Sequence, residues 1–207
     1  MRRSTLALAA LALLGAAKPD APPAGVDTLL GEFRAMPGLQ AKFREEKRIA
    51  LLAAPLVSEG TLHFAPPAQL ARLTTSPAPS RLVVDGSSLV FGDEQGAESI
   101  DLDANPMARL YVDSFLEILA GNRDALEKVW KIELAPGSTL DAWTLVLTPG
   151  AAPIARIFRA LTLKGRGSVV EWLKLVETSG DETLTTFSDV DAKHRYSDAE
   201  LARLFRK

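Results

Sequence analysis

Residues 39–51 read LQAKFREEKRIAL. Leu39, Ala41, Phe43, Ile49 and Leu51 fall on one parity, and Gln40, Lys42, Arg44, Glu46 and Arg48 on the other. A period of two puts the two sets on opposite faces of an extended chain, so the spacing predicts a long strand, apolar on one side and solvated on the other. Such a strand belongs in an antiparallel sheet, and the residues downstream supply partners. Short strand patterns follow at 60–64, 69–75, 81–84, 88–91 and 98–102, broken by Pro66-Pro67, Pro77-Ala78-Pro79 and Asp85-Gly86. The last of these is a strong two-residue hairpin signal. The second half repeats the style at 131–134, 143–148, 158–164, 169–177 and 182–188. The pattern therefore predicts about ten or eleven strands. No internal repeat and no Pro/Gly/Ser-rich linker divides them, which makes 26–207 one domain.

Helices punctuate this β pattern. Upstream, Leu29, Leu30, Phe33 and Met36 recur at helical spacing after Asp27, which is placed to cap, and Pro37-Gly38 stops the helix. In the middle, Asn105 caps a helix over 106–120, Pro106 fits its first turn and Gly121 fits the position past its end. Ten of its residues are apolar, leaving only Arg109, Asp113, Ser114 and Glu117 as polar ones beyond the proline. An ordinary surface helix carries a narrower stripe. The helix is either buried on most sides or faces, in part, an apolar space that another molecule can fill. A short helix follows over 123–129 behind an Asn122 cap. Ser197 and Glu200 form a capping box for a terminal helix, with Tyr196 placed to staple against Leu201.

Strands 89–91, 143–147 and 169–176 are apolar on both faces. Two architectures bury both: a sheet curved around an internal space and covered by helices, or a filled sandwich core.

Composition removes several function classes. The 207 residues carry 24 Lys+Arg against 26 Asp+Glu, a formal net charge of −2, and no long basic run, which leaves nothing to hold a nucleic acid. With no cysteine there is no disulfide, thiolate metal site or cysteine nucleophile. Arg2 and Arg3 precede the apolar run Leu6 to Leu14 and then Gly15-Ala16-Ala17, the layout of a secretory signal over 1–17. The run is too short to cross a bilayer. Residues 18–25, KPDAPPAG, read as a flexible leader. Cleavage takes two arginines away and leaves an exported, more acidic chain. Without disulfides, a Gram-negative periplasm suits it somewhat better than a harsher exterior.

Catalytic signals are few. His63 and His194 lie far apart and read as surface or edge residues. No G-x-S-x-G elbow occurs. Gly165-Arg166-Gly167-Ser168 lacks the lysine of a phosphate loop and sits between strands as a turn. Asp101-Leu102-Asp103 opens like a calcium loop but meets Pro106 and Val112 where glycine and glutamate are needed. Asp189, Asp191 and His194 read as a solvated segment rather than a metal site. Glu45 and Glu46 point to opposite faces of one strand and cannot act together. No catalytic residue, cofactor or metal is expected.

The ordered pieces resemble the LolA-like periplasmic carriers of outer-membrane lipoproteins and the related receptor LolB. The resemblance runs from the N-terminal helix into Leu39-Gln-Ala-Lys-Phe43, through Gly60-Thr-Leu62-His-Phe64 and Pro79 to Phe91, to Trp143-Thr-Leu145-Val-Leu147-Thr-Pro149 and Gly180 to Phe187. It implies an α+β fold, an incomplete antiparallel barrel of one domain whose helices line or cover an apolar cavity for acyl chains. On that resemblance Phe43, Leu62, Phe64, Val84, Phe91, Trp143, Leu145 and Trp172 are wall residues, and Leu110, Phe115 and Ile118 belong to a lid. The implied partners are an acylated lipoprotein or other lipid cargo, an inner-membrane transporter as donor and an outer-membrane acceptor, with the carrier a monomer. One departure stands out. Ala65 occupies the place where these carriers have an arginine that locks the lid, so the lock is missing or comes from elsewhere, for instance from Arg72.

Overall fold

The computed structural model describes residues 24–150 and 152–205, so the expected signal and most of the leader lie outside the described residues. Eleven strands form one sheet: β1 (Leu39–Arg48), β2 (Leu56–Ala65), β3 (Gln69–Ser76), β4 (Ser80–Asp85), β5 (Ser88–Asp93), β6 (Gly96–Asp101), β7 (Trp130–Leu134), β8 (Trp143–Pro149), β9 (Phe158–Arg166), β10 (Val169–Glu177) and β11 (Glu182–Asp191). Their order in space is β6-β5-β4-β3-β2-β1-β11-β10-β9-β8-β7, each neighbour antiparallel. Two meanders are thus joined where β11 returns beside β1. The sheet curls without closing and leaves β6 and β7 as edges, an incomplete barrel.

Among the described residues, four α-helices complete the α+β fold: α1 (Val26–Arg34), α2 (Pro106–Leu119), α3 (Arg123–Leu126) and α4 (Asp198–Phe205). At nine residues α1 is too short to stand alone, so packing must hold it. Leu29, Leu30 and Phe33 are almost wholly buried against the inner face of the sheet. Each such side chain contributes about 1.5–3 kcal/mol relative to exposure. Phe33 meets Trp143 edge-on at 5.8 Å. The Trp143 ring in turn lies over Gly165, where a Cβ would stand 2.6 Å from ring atom Cζ2, and its Nε1 donates to Gly167 O at 2.9 Å. Glycine at 165 is what lets the indole sit flat on β9.

The α2 boundaries follow their local chemistry. Asn105 Oδ1 accepts the Ala108 N–H at 3.1 Å, Pro106 takes the first turn, and Gly121 turns the chain out with φ +64°. Only the first turn of α2 and Tyr111 are exposed; Val112, Ser114, Leu116 and Ile118 are buried. At the C-terminus, α4 covers the outer face of β3 and β4, where Leu204 and Phe205 pack with Ala65, Ala71 and Val83. Its capping box forms as the sequence predicts: the Ser197 N–H donates to Glu200 Oε2 at 2.8 Å and the Glu200 N–H to Ser197 Oγ at 3.4 Å.

Two local expectations are corrected. Gly25, not Asp27, occupies the N-cap of α1, and the Asp27 carboxylate instead pairs with Arg123 at 2.7 Å. The strand predicted over 39–51 ends at Arg48, because the Leu52 N–H bonds back to Ile49 O at 2.9 Å and closes a turn.

Candidate functional site

A cavity of about 280 Å3 lies between the centre of the sheet and α2. Strand alternation puts its walls in place. From β1 come Leu39, Ala41, Phe43 and Glu45; from β2, Leu62; from β3, Leu70 and Arg72; from β4, Leu82 and Val84. The other side is Val170, Leu173 and Leu175 of β10 with Thr183, Thr185 and Phe187 of β11. From α2 come Tyr111, Val112, Phe115, Ile118 and Leu119, spaced as one helical face. The lining is mostly apolar, and its charged groups fall in one cluster.

That cluster is built around Arg72. Its Nη1 and Nη2 donate to the two carboxylate oxygens of Glu45 at 2.7 and 3.0 Å, and Nη2 also donates to Ser58 Oγ at 3.0 Å. Thr185 Oγ1 donates to Glu45 Oε2 at 3.2 Å, and the guanidinium sits 4.2 Å above the Phe43 ring. Period two explains the arrangement: Glu45 points inward beside Arg72, while Glu46 turns outward to Arg44. A charged pair facing an apolar space is tolerable because each charge is neutralised and hydrogen-bonded.

The far face and the ends of α2 are fastened to the body. Ser114 Oγ donates to Leu110 O at 2.7 Å and accepts from Trp130 Nε1 at 3.3 Å. Trp130 stacks on Phe158 with ring centroids 6.0 Å apart, and Tyr111 lies against Phe158 at 5.4 Å. Past the helix end, Arg34 Nη2 donates to Gly121 O at 2.7 Å. Near its start, Arg109 pairs with Asp103 and Asp113. Arg72 donates to Glu45 and Ser58 on the sheet, and none of its bonds among the described residues runs to α2.

The residues expected at the site separate into two groups. Phe43, Leu62, Val84, Phe115 and Ile118 line the cavity. Phe64, Trp143 and Leu145 point to the same inner face but are sealed inside the core. Leu110 packs against that core rather than the cavity, because it lies off the helical face of Phe115 and Ile118. Phe91, opposite Leu82 on β5, is 36% exposed toward the sheet edge. Trp172 is on the outer face: it pairs with Lys164, while its neighbour Leu173 pairs with the lining residue Leu163. A register shift between Val170 and Trp172 reverses the alternation there. Tyr111, Val112, Leu119 and the Arg72–Glu45 pair went unpredicted as lining. The helical spacing from Phe115 and Ile118 marks the first three; a charged pair on an inward face has no signal in hydropathy.

The histidines also differ from expectation. His63 is buried on the outer face beneath α4, not at a surface, with Nδ1 3.3 Å from Tyr196 Oη and Nε2 3.1 Å from Thr61 Oγ1. The His194 ring meets Tyr196 at 4.4 Å, so the two histidines share one aromatic cluster. The Tyr196 hydroxyl donates to Leu39 O at 2.7 Å, which ties the C-terminal segment to β1. Among the described residues, no group of three His, Asp or Glu side chains is placed to hold a metal ion.

The fold and the cavity together define a class, an incomplete antiparallel barrel with a helix beside an apolar hollow. Residues 34–202 match the family model of the outer membrane lipoprotein carrier protein LolA, and the chain belongs to that family. Among solved structures, a chain of the Pseudomonas aeruginosa MucA/MucB complex is 13% identical over 85% of this chain, with a TM-score of 0.51. A crystal structure of MucB is 14% identical over 87%, with a TM-score of 0.50. This chain spans 58% and 64% of those two chains, and at such identities the likeness is one of fold. A LolA superfamily protein from Nitrosomonas europaea is 12% identical over 85% of this chain and 96% of its own, with a TM-score of 0.48. Comparison with curated protein sequences gives no match.

Proposed function

We propose that the protein is a non-catalytic periplasmic carrier that holds the acyl chains of a lipoprotein, or of a related lipophile, and moves them from the inner to the outer membrane. The observation that supports this reading best is the apolar cavity between α2 and the sheet, in a chain whose family is described by lipoprotein carriage. Residues 1–17 are the proposed export signal, the donor an inner-membrane transporter and the acceptor an outer-membrane protein.

Burial of an acyl chain stabilises by about 0.8 kcal/mol per methylene, so about ten methylenes give roughly 8 kcal/mol, on the order of micromolar binding. That is tight enough to keep a chain out of water and loose enough to give it up. At about 280 Å3 the cavity is slightly smaller than the roughly 300–1,000 Å3 of small-ligand sites. Cargo longer than the cavity holds enters only if α2 moves outward, which couples loading and release to its opening.

A fluorescent fatty-acyl probe tests the reading. The native protein binds it saturably, and Phe115→Asp, which puts a carboxylate into the cavity face of α2, abolishes binding while circular dichroism and the melting profile stay close to native. Unchanged binding in the folded variant refutes the cavity assignment.

A further inference from the structure

Three of the large apolar side chains most exposed on the described surface lie in or next to one turn. Leu51 is 94% exposed, Leu56 54% and Leu52 49%. Leu51 and Leu52 lie in the β1–β2 connection and Leu56 is the first residue of β2; residues 49–56, IALLAAPL, contain no polar side chain. Hairpin tips normally carry Gly, Pro, Asn, Asp or Ser, and of these the run has only Pro55. This tip is also braced, since the Ala50 N–H donates to Asp181 Oδ1 at 3.0 Å and so joins it to the β10–β11 turn.

Its position matters. The cavity lining climbs β1 from Leu39 to Glu45, so Glu45 and its partner Arg72 mark the end nearest the tip. Tyr111 lines the cavity and is 45% exposed, and it lies within electrostatic reach of Glu45, Arg72 and Glu177, the last residue of β10. The solvent-touching rim of the cavity and the leucine tip thus stand at the same end of the sheet.

The small convex tip also indicates what covers it. A standard protein interface takes about 800 Å2 from each partner, spread over some 20–30 residues. Three leucines in or next to a protruding turn fall far short of that, whereas a bilayer needs no matching surface. Arg48 comes directly before the run, where a cationic side chain reaches headgroup level while the apolar residues sit deeper, and Lys47 beside it is held to Glu177 of β10 at 3.3 Å. The formal net charge of −2 gives no general attraction to anionic lipid, which leaves apolar insertion as the driving force.

We propose that the 49–56 tip is a membrane-contact element, inserting Leu51 and Leu52 into the interfacial layer of a lipid bilayer and bringing the cavity rim to its surface. This does not depend on what the cavity holds. The test is flotation of the full chain with phosphatidylcholine vesicles, with and without phosphatidylglycerol, beside Leu51→Ser/Leu52→Ser. Both proteins carry the same residues 1–17, so binding through that run is common to them. The native chain floats with both compositions and at high salt, and the double variant partitions about tenfold less. Leu51→Trp shifts its emission to the blue with vesicles and is quenched by brominated lipid. Equal flotation of native and double variant, flotation only with anionic vesicles at low salt, or an unmoved Leu51→Trp spectrum overturns the proposal. So does tip-dependent self-association in light scattering without vesicle binding. Acyl-probe binding by the double variant stays native whichever way this falls, which separates this test from that of the carrier reading.

Discussion

Replacing Arg72 by methionine leaves the Glu45 carboxylate facing an apolar cavity with only Thr185 to donate to it. Removing one partner of a buried ion pair costs about 3–5 kcal/mol. The Arg72 and Glu45 side chains are 27% and 20% exposed, so the low end of that range applies. Arg72→Met should therefore destabilise by about 3 kcal/mol, including its contact with the Phe43 ring. Glu45→Leu, which leaves the guanidinium bonded to Ser58 and stacked on Phe43, should cost about 2 kcal/mol. The double variant presents two apolar side chains to an apolar space and should also cost only about 2 kcal/mol, so the pair couples by about 3 kcal/mol. For a chain of this size Arg72→Met should melt about 6–12 °C lower. Urea unfolding followed by tryptophan fluorescence measures all three, since Trp130 and Trp143 are buried in the core. The double variant should also hold an acyl probe more tightly than the native protein, its wall carrying no charge. Strictly additive losses, or a cost for Arg72→Met below about 0.5 kcal/mol, would show that the pair is solvated and not part of the cavity wall.

Three further outcomes follow from particular contacts. Burial first, then the His194 and Arg203 charges, lower the His63 pKa from its ordinary 6.5, with Glu200 opposing. The unfolded chain then takes up a proton that the fold refuses, so this contribution is whole above pH 6.5 and is lost as pH falls below it. Thermal melts from pH 7.5 to 5 should show the loss, and His63→Gln should flatten it; an unchanged slope refutes the assignment. Gly121→Ala forces a side chain into φ +64° with its Cβ 2.1 Å from Leu30 O, and should cost about 3 kcal/mol or more in urea unfolding; a native midpoint would contradict the close approach of α1 and α2. Ser114→Ala removes the acceptor of Trp130 Nε1, at a cost of about 1 kcal/mol, and amide exchange in α2 should quicken while exchange in β1 and β11 does not. Uniform exchange across the chain would mean that α2 does not open separately.

Much of the fold is legible in the sequence, because strands with strong alternation and marked turns declare themselves. The 169–177 pattern matches β10 end to end, and the Asn105, Pro106 and Gly121 signals place α2 to within a residue. The site is less legible. Period two tells which face of a strand points inward, but not whether a helix or a hollow lies opposite. Trp143 and Leu145 are therefore filled core under α1, while Phe43 and Leu62 look onto empty space. The register shift beside Trp172 reverses its face, and nothing in the hydropathy of Val170-Glu171-Trp172 announces it. His63 is buried because α4 docks on the outer face, a tertiary contact whose sequence trace is the outward row of Ala65, Ala71 and Val83. The hollow and the filled core, alternatives at the level of pattern, coexist in the one molecule: the helices pack one part of the inner face and roof the other.

The most direct test of the carrier reading is mass spectrometry of the organic extract of the protein purified from cells that naturally make it. An acyl-bearing molecule recovered in amounts comparable to the protein, and absent from Phe115→Asp prepared alongside, is the predicted result. An acylated protein would mark the cargo as lipoprotein, and a free lipid would mark it as a related lipophile. An empty extract, together with no saturable binding of an acyl probe, would contradict the carrier reading and leave only the fold.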